Sequence, residues 1–210
     1  MNDKITDVVQ KRYDRIAGAY DMMEIVAELS RYKKWRELLW SKVEGGKVLE
    51  VGVGTGRNFT YYPPNVEITA IDFSARMLAR AKEKASKSGL KLRLQQMDVQ
   101  HLEFEPDTFD TVVASFVFCS VPDPVRGLTE IRRVIKPGGK VLLLEHVLSQ
   151  KRSVAWFMNL ANPLVVRLMG ANINRRTIEN VKASGLSVEH VTDLSAGIFK
   201  LIEARKIASR

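Results

Sequence analysis

The chain has one cysteine, Cys119, and three histidines in 210 residues. A single thiol excludes an internal disulfide, and without a Cys/His cluster no zinc site is expected. The first residues, Met-Asn-Asp-Lys-Ile-Thr-Asp, lack the apolar centre of a signal peptide, and no run reaches the ~18 apolar residues that a bilayer span requires. A cytoplasmic protein is expected. Linkers, repeats and low-complexity tracts are also missing, so the length predicts one domain over residues 1–210 with an ample core.

What is present is a soluble globule's composition, 45% hydrophobic and 27% charged, with an excess of 33 Lys and Arg over 24 Asp and Glu that leaves a net charge of +9. A basic surface concentrates anionic partners such as nucleic acid, anionic lipid or an acidic metabolite. Charge alone does not choose among them.

The chain is organised around Lys47-Val-Leu-Glu-Val-Gly-Val-Gly-Thr-Gly56. Val48, Leu49 and Val51 read as a short buried parallel strand, and Gly52, Gly54 and Gly56 as a turn into a helix that lets backbone approach a ligand. A nicotinamide site usually carries Gly-x-Gly-x-x-Gly, with a pyrophosphate on the helix start. Here the spacing is Gly-x-Gly-x-Gly and Glu50 precedes it. That carboxylate would repel a pyrophosphate but can hold an amino acid's ammonium through a bridging water, so the ligand should be adenosine-like with a cationic end.

Twenty residues beyond Gly52, the strand Glu67–Ile71 ends in Asp72, whose carboxylate can accept both hydroxyls of a ribose. A third strand, Leu90–Gln96, leads to Met97-Asp-Val99. There Asp98 either accepts the adenine amino group, with the Val99 NH on a ring nitrogen, or simply caps a turn.

From Lys47 onward strands and helices alternate, which predicts an α/β fold with a parallel sheet and right-handed crossovers. Ser74 caps a helix to Ser86. A helix from Asp123 to Ile135 is stopped by Pro137-Gly-Gly, and Val141–Leu144 is a fully apolar fifth strand. Leu186–Thr192 and Ile198–Ala204 close a seven-stranded sheet, the last strand antiparallel at its edge.

Before this core, residues 1–20 carry Ile5, Val8, Val9, Tyr13, Ile16 and Tyr20 on one helical stripe. That helix is a lid over the ligand or an amphipathic element on a membrane, two roles that can coexist. A second helical pattern, Asp21–Ser41, contains Arg31-Tyr-Lys-Lys-Trp-Arg36, basic residues interleaved with aromatics as on interfacial surfaces. Residues 1–42 thus form an N-terminal helical lid.

The segment after the fifth strand, Lys151–Met169, is apolar nearly all round but interrupted by Asn159, Asn162, Pro163 and Arg167. It reads as core, or as a greasy tunnel or membrane-contact surface centred on Trp156. Residues 151–184 are therefore expected to be a helical insertion on the substrate side. Asn172, Arg175 and Arg176 follow as a donor-rich cluster suited to a phosphate, although two adjacent arginines on a helix cannot both face inward.

His146, at the carboxyl end of the fifth strand, is the candidate base by position; it can instead be bonded to Glu145 and only shape the pocket. Glu145 and Tyr20 are the other candidates to move a proton, and the Tyr20 ring can face a growing quaternary ammonium.

The motifs Glu50-Val-Gly-Val-Gly-Thr-Gly56, Ile71-Asp-Phe-Ser-Ala-Arg-Met-Leu78, Met97-Asp-Val99 and Phe109–Val121 together resemble the class I S-adenosylmethionine-dependent methyltransferases, from about Tyr20 to the end. The resemblance implies a Rossmann-like fold with helices on both faces of the sheet and S-adenosylmethionine as cofactor. It also implies that the glycines line the methionine part, Asp72 holds the ribose, Phe73 and Met77 flank the adenine, Asp98 and Val99 read its edge, and Ser115 closes the pocket. Ser115–Pro124, Leu144–Val147, Trp156–Pro163 and Gly170–Arg175 are similar to the bacterial phosphatidylethanolamine N-methyltransferases, and also to the ubiquinone/menaquinone and membrane-associated thiol methyltransferases. This implies a membrane-borne acceptor, phosphatidylethanolamine above all, and peripheral association with an anionic membrane. Ser115–Ser120 lacks the Asn/Asp-Pro-Pro-aromatic signature of base methylation, so no nucleic-acid partner is expected. A membrane-binding module without activity is the rival from another class.

Overall fold

The computed structural model describes residues 31–207. The expected lid helix and Tyr20 lie outside the described residues. The second helical pattern is described at its end, helix α1 (Lys33–Trp40). There the basic and aromatic run divides: Arg36 is buried and the Trp35 ring packs 5.0 Å from Phe199 and 5.1 Å from Tyr32, while Arg31, Lys33 and Lys34 are exposed.

Seven strands follow among the described residues: β1 (Gly46–Val51), β2 (Val66–Asp72), β3 (Arg93–Gln96), β4 (Phe109–Ser115), β5 (Ile135–His146), β6 (Ser187–Ser195) and β7 (Phe199–Arg205). They form one sheet in the order β3-β2-β1-β4-β5-β7-β6. The pairs from β3 to β5 are parallel, and β7 runs antiparallel to both of its neighbours. The last strand is thus antiparallel as expected, but it is inserted between β5 and β6 and does not lie at the edge.

Two further boundaries differ from the periodicity. The third strand starts at Arg93, because Leu90 and Leu92 pack on the apolar core from the preceding loop. The fifth starts at Ile135, directly after helix α3 (Pro124–Val134). Pro137-Gly138-Gly139 falls inside it, where the register on β4 jumps from Phe109↔Ile135 to Thr111↔Lys140. Pro and Gly mark an irregularity in a strand here and not a helix stop.

The central strands are apolar on both faces, as a sheet covered by helices requires. Val48, Val113, Leu142 and Leu144 point to one layer, with Leu39 and Trp40 of α1 and Leu78, Ala81 and Ala85 of helix α2 (Ala75–Lys87). Leu49, Val51, Val112, Ala114 and Leu143 point to the other, with Leu128 and Ile131 of α3 and Val181 of helix α5 (Thr177–Ala183). Ser74 caps α2 by accepting from the Met77 NH, and Asp123 caps α3 from the Arg126 NH. Helix α4 (Arg152–Met169) stands apart, with only Met158 of its described side chains buried.

Candidate active site

The carboxyl ends of β1, β2 and β4 open onto a cavity at the point where the strand order reverses, between β1 and β4. Gly52 and Gly54 line it from the turn after β1. Asp72, Phe73 and Met77 come from the end of β2 and the start of α2, Met97 through Gln100 from the loop after β3, and Ser115, Phe116 and Val117 with Ser120 to Pro122 from the loop after β4. Of the ten cofactor residues expected from the sequence, eight are on this wall. Glu50 and Gly56 are not.

The glycines divide by function. A Cβ on Gly54, at φ +56°, would meet nothing within 4 Å, so this turn leaves a hollow on its ligand side. On Gly52 a Cβ would stand 2.4 Å from Val117 Cγ2, and on Gly56 2.4 Å from the Phe59 ring. Those two glycines serve packing around the hollow. Asp72 is fixed beside it: its Oδ2 accepts from the Gly54 NH and its Oδ1 from the Ser74 NH, both at 2.8 Å. Asp98 closes the turn foreseen for it while facing the cavity: its Oδ1 accepts from the Gln100 NH at 2.9 Å. Gln100 holds the carboxylate from its side chain as well and ties it to the start of α3 through the Asp123 NH.

Beneath the glycine turn lies a polar network that the sequence reading missed. Glu50 is fully buried and accepts from Asn58 Nδ2 at one oxygen and from the Tyr62 hydroxyl at the other. Arg36 reaches in from α1 and donates to Asn58 Oδ1 at 2.7 Å and Ser115 Oγ at 3.1 Å. Burial pushes the Glu50 carboxyl up to about 6, against those two hydrogen bonds and the nearby guanidinium. The Tyr62 hydroxyl is raised by burial and by Glu50 itself. Glu50 therefore anchors the floor of the site from below. Its two partners had a faint signal, a polar and an aromatic side chain close after the last glycine; Arg36 had none, since it reads as part of the basic run.

Glu145 and His146, adjacent on β5, turn to opposite faces. Glu145 is fully buried, with Oε1 accepting from the Val117 and Phe118 NH groups and Oε2 without a partner among the described residues. It does not line the cavity. The His146 ring meets Phe199 edge-on at 5.2 Å. Burial holds its pKa below the ordinary value, and its Nδ1 has no partner among the described residues.

The expected substrate cluster is spent largely on backbone. Asn172 Nδ2 donates to the Cys119 carbonyl and its Oδ1 accepts from Asn162 of α4, while Arg175 donates to the Val121 carbonyl at 2.7 Å. Arg176 is exposed at the start of α5, and Trp156 is exposed on α4. These contacts tie α4 and the 170–176 segment to the loop whose residues 120–122 line the cavity.

A hollow beside an anchored carboxylate, with an apolar slot beyond it, fits an adenosyl group, and the chain's similarities agree. A methyltransferase domain family matches residues 49–143. A phosphatidylethanolamine N-methyltransferase of Cereibacter sphaeroides is 42% identical over 151 residues, 71% of this chain and 73% of that one. A ubiquinone/menaquinone biosynthesis C-methyltransferase of Geotalea daltonii is 33% identical over 146 residues, 65% of this chain and 62% of its own length. The crystal structure of the [4+2]-cyclase SpnF superposes with a TM-score of 0.71 at 20% identity, over 84% of this chain and 81% of that one, which supports the Rossmann-like fold. The cofactor is S-adenosylmethionine, and the chain belongs to the class I S-adenosylmethionine-dependent methyltransferases.

Proposed function

We propose that this chain methylates the amine of phosphatidylethanolamine held in a bilayer. The observation that carries the reading is α4. Trp156, Phe157, Leu160, Leu164 and Leu168 are each 62–70% exposed along it, with Lys151, Arg152 and Arg167 exposed at its ends. An apolar stripe left open among the described residues and framed by cations suits an interface with anionic lipid. No helix among the described residues is long and apolar enough to cross a membrane, so α4 would lie in the surface. The similarity to a phosphatidylethanolamine N-methyltransferase supports the same acceptor.

S-adenosylmethionine supplies an electrophilic methyl on a sulfonium, and the transfer is an in-line displacement. The chain's share is alignment, exclusion of water and removal of a proton from the attacking amine. For the last task His146 is the candidate by position alone, at the carboxyl end of β5; its half-buried ring packs on Phe199 and is not part of the cavity wall. Arg175 and Asn172 brace the rim at Val121 and Cys119, and Arg176, exposed at the start of α5, can meet a phosphate from outside.

A quinone acceptor is the second reading, favoured by the likeness to the quinone C-methyltransferase and equally compatible with the apolar face of α4. Incubating the full chain with labelled S-adenosylmethionine and vesicles containing both acceptors separates them. Label in phospholipid amine is expected; label in quinone alone would overturn the proposal.

A further inference from the structure

The loop after β4 holds an arrangement that neither acceptor explains. Phe116, on the cavity wall, has φ +58°, a left-handed conformation that a bulky side chain adopts only when its surroundings over-determine it. Its own NH donates to the Leu144 carbonyl at 2.8 Å. The next two NH groups, of Val117 and Phe118, both donate to Glu145 Oε1, at 2.9 and 3.1 Å. The Val117 side chain then fills the space above Gly52, 2.4 Å from where a Cβ would be.

We infer that Glu145 is a positioning residue for the cofactor: it clamps the loop after β4 so that Val117 presses against the glycine turn while Phe116 is held on the cavity wall, and so fixes the width of the methionine end of the cavity. The inference holds for any methyl acceptor, because each contact lies on the donor side of the site. Glu145 touches no ligand itself, being fully buried and off the cavity wall. Nor is it a proton carrier in this arrangement. What the loop requires of it is an acceptor atom at a fixed reach, and a hydrogen bond of two NH groups to one oxygen survives protonation of the other.

The ionisable group that faces Glu145 from the loop is Cys119, whose thiol is pushed up to about 12 by burial and then by the Glu145 charge. Arg175, from the segment before α5, faces that thiol in turn. Neither needs to change state for the clamp to hold.

Three variants separate acceptor geometry from charge. Glu145→Gln loses the charge but keeps an oxygen in place. Glu145→Asp keeps the charge but withdraws the oxygen by one methylene, and Glu145→Leu removes the acceptor. Calorimetric titration with S-adenosylhomocysteine should show Gln within about threefold of the parent protein and Asp and Leu weakened by about tenfold or more, the usual size for hydrogen bonds lost at a buried group. Turnover should show a raised KM for S-adenosylmethionine with the KM for the acceptor little changed, a split that general loss of stability would not produce. Should Leu fail to fold, the Gln and Asp pair decides alone. Binding by Asp equal to the parent, or Gln as weak as Asp, would overturn the inference. Absence of methylated phospholipid would instead fall on the acceptor proposal and leave the binding result standing.

Discussion

Val117 stands where a side chain on Gly52 would have to be, with its Cγ2 2.4 Å from that position, whereas the same position on Gly54 is open. The two glycines, with only Val53 between them, therefore fail differently. Gly52→Ala meets both the left-handed backbone at φ +70° and a collision with Val117, and should cost about 3 kcal/mol or more of stability. Gly54→Ala meets only the backbone penalty of about 1–2 kcal/mol, yet its methyl would project into the hollow. Chemical denaturation should rank Gly52→Ala as the less stable, and titration should find Gly54→Ala folded but poor at binding S-adenosylhomocysteine.

Arg36 links α1 to the floor of the site through Asn58 and Ser115. Arg36→Met keeps the apolar stem but withdraws the cation from a buried carboxylate, and removal of one member of such a buried group costs about 3–5 kcal/mol. Loss of the guanidinium should also raise the Glu50 carboxyl further, since Arg36 now lowers it. A denaturation midpoint unchanged in Arg36→Met would contradict a structural role for this network.

Two buried glutamates make stability depend on pH in an unusual direction. Glu50 and Glu145 are raised to about 6 and about 7, principally by burial, so the folded chain holds these protons more tightly than the unfolded one. Their contribution is complete below the ordinary glutamate value of 4.5 and is lost as pH rises through 6 to 7. Denaturant unfolding at pH 5 and pH 8 should differ by a few kcal/mol, roughly 1.4 kcal/mol for each unit of raised pKa, with the acid side more stable as far as these groups decide it. Glu145→Gln should flatten that slope.

The stripe on α4 predicts a separation of folding from surface binding. Because Trp156 and Leu160 are exposed, Trp156→Ser with Leu160→Ser should change stability by only about 0.5 kcal/mol. Loss of their burial in a bilayer interface, about 1.5–3 kcal/mol each, should weaken sedimentation with anionic vesicles at least tenfold. Undiminished vesicle binding by the double variant would remove α4 from the interface.

Much of the donor site is legible in the chain because it is built from short-range signals. Glycine spacing after an apolar strand gives the turn, and a carboxylate at the next strand end gives Asp72. Gln100 and Phe116 were missed, since neither a hydrogen bond to Asp98 nor a positive φ has a local mark in the residues themselves. The substrate side read less well. Asn172 and Arg175 have the composition of a phosphate cluster, but backbone carbonyls of Cys119 and Val121, more than 50 positions earlier, claim them.

By itself the sequence determined the alternation of strands and helices, the glycine turn and the type of cofactor, because periodicity, turn chemistry and charge act over a few neighbouring residues. Only the tertiary structure decided that Arg36 turns inward to Asn58 and Ser115, that β7 slots between β5 and β6, and that Glu145 is buried against the loop after β4. Each of these depends on which distant segments meet once the sheet has closed, and burial then sets what a carboxylate or guanidinium can do.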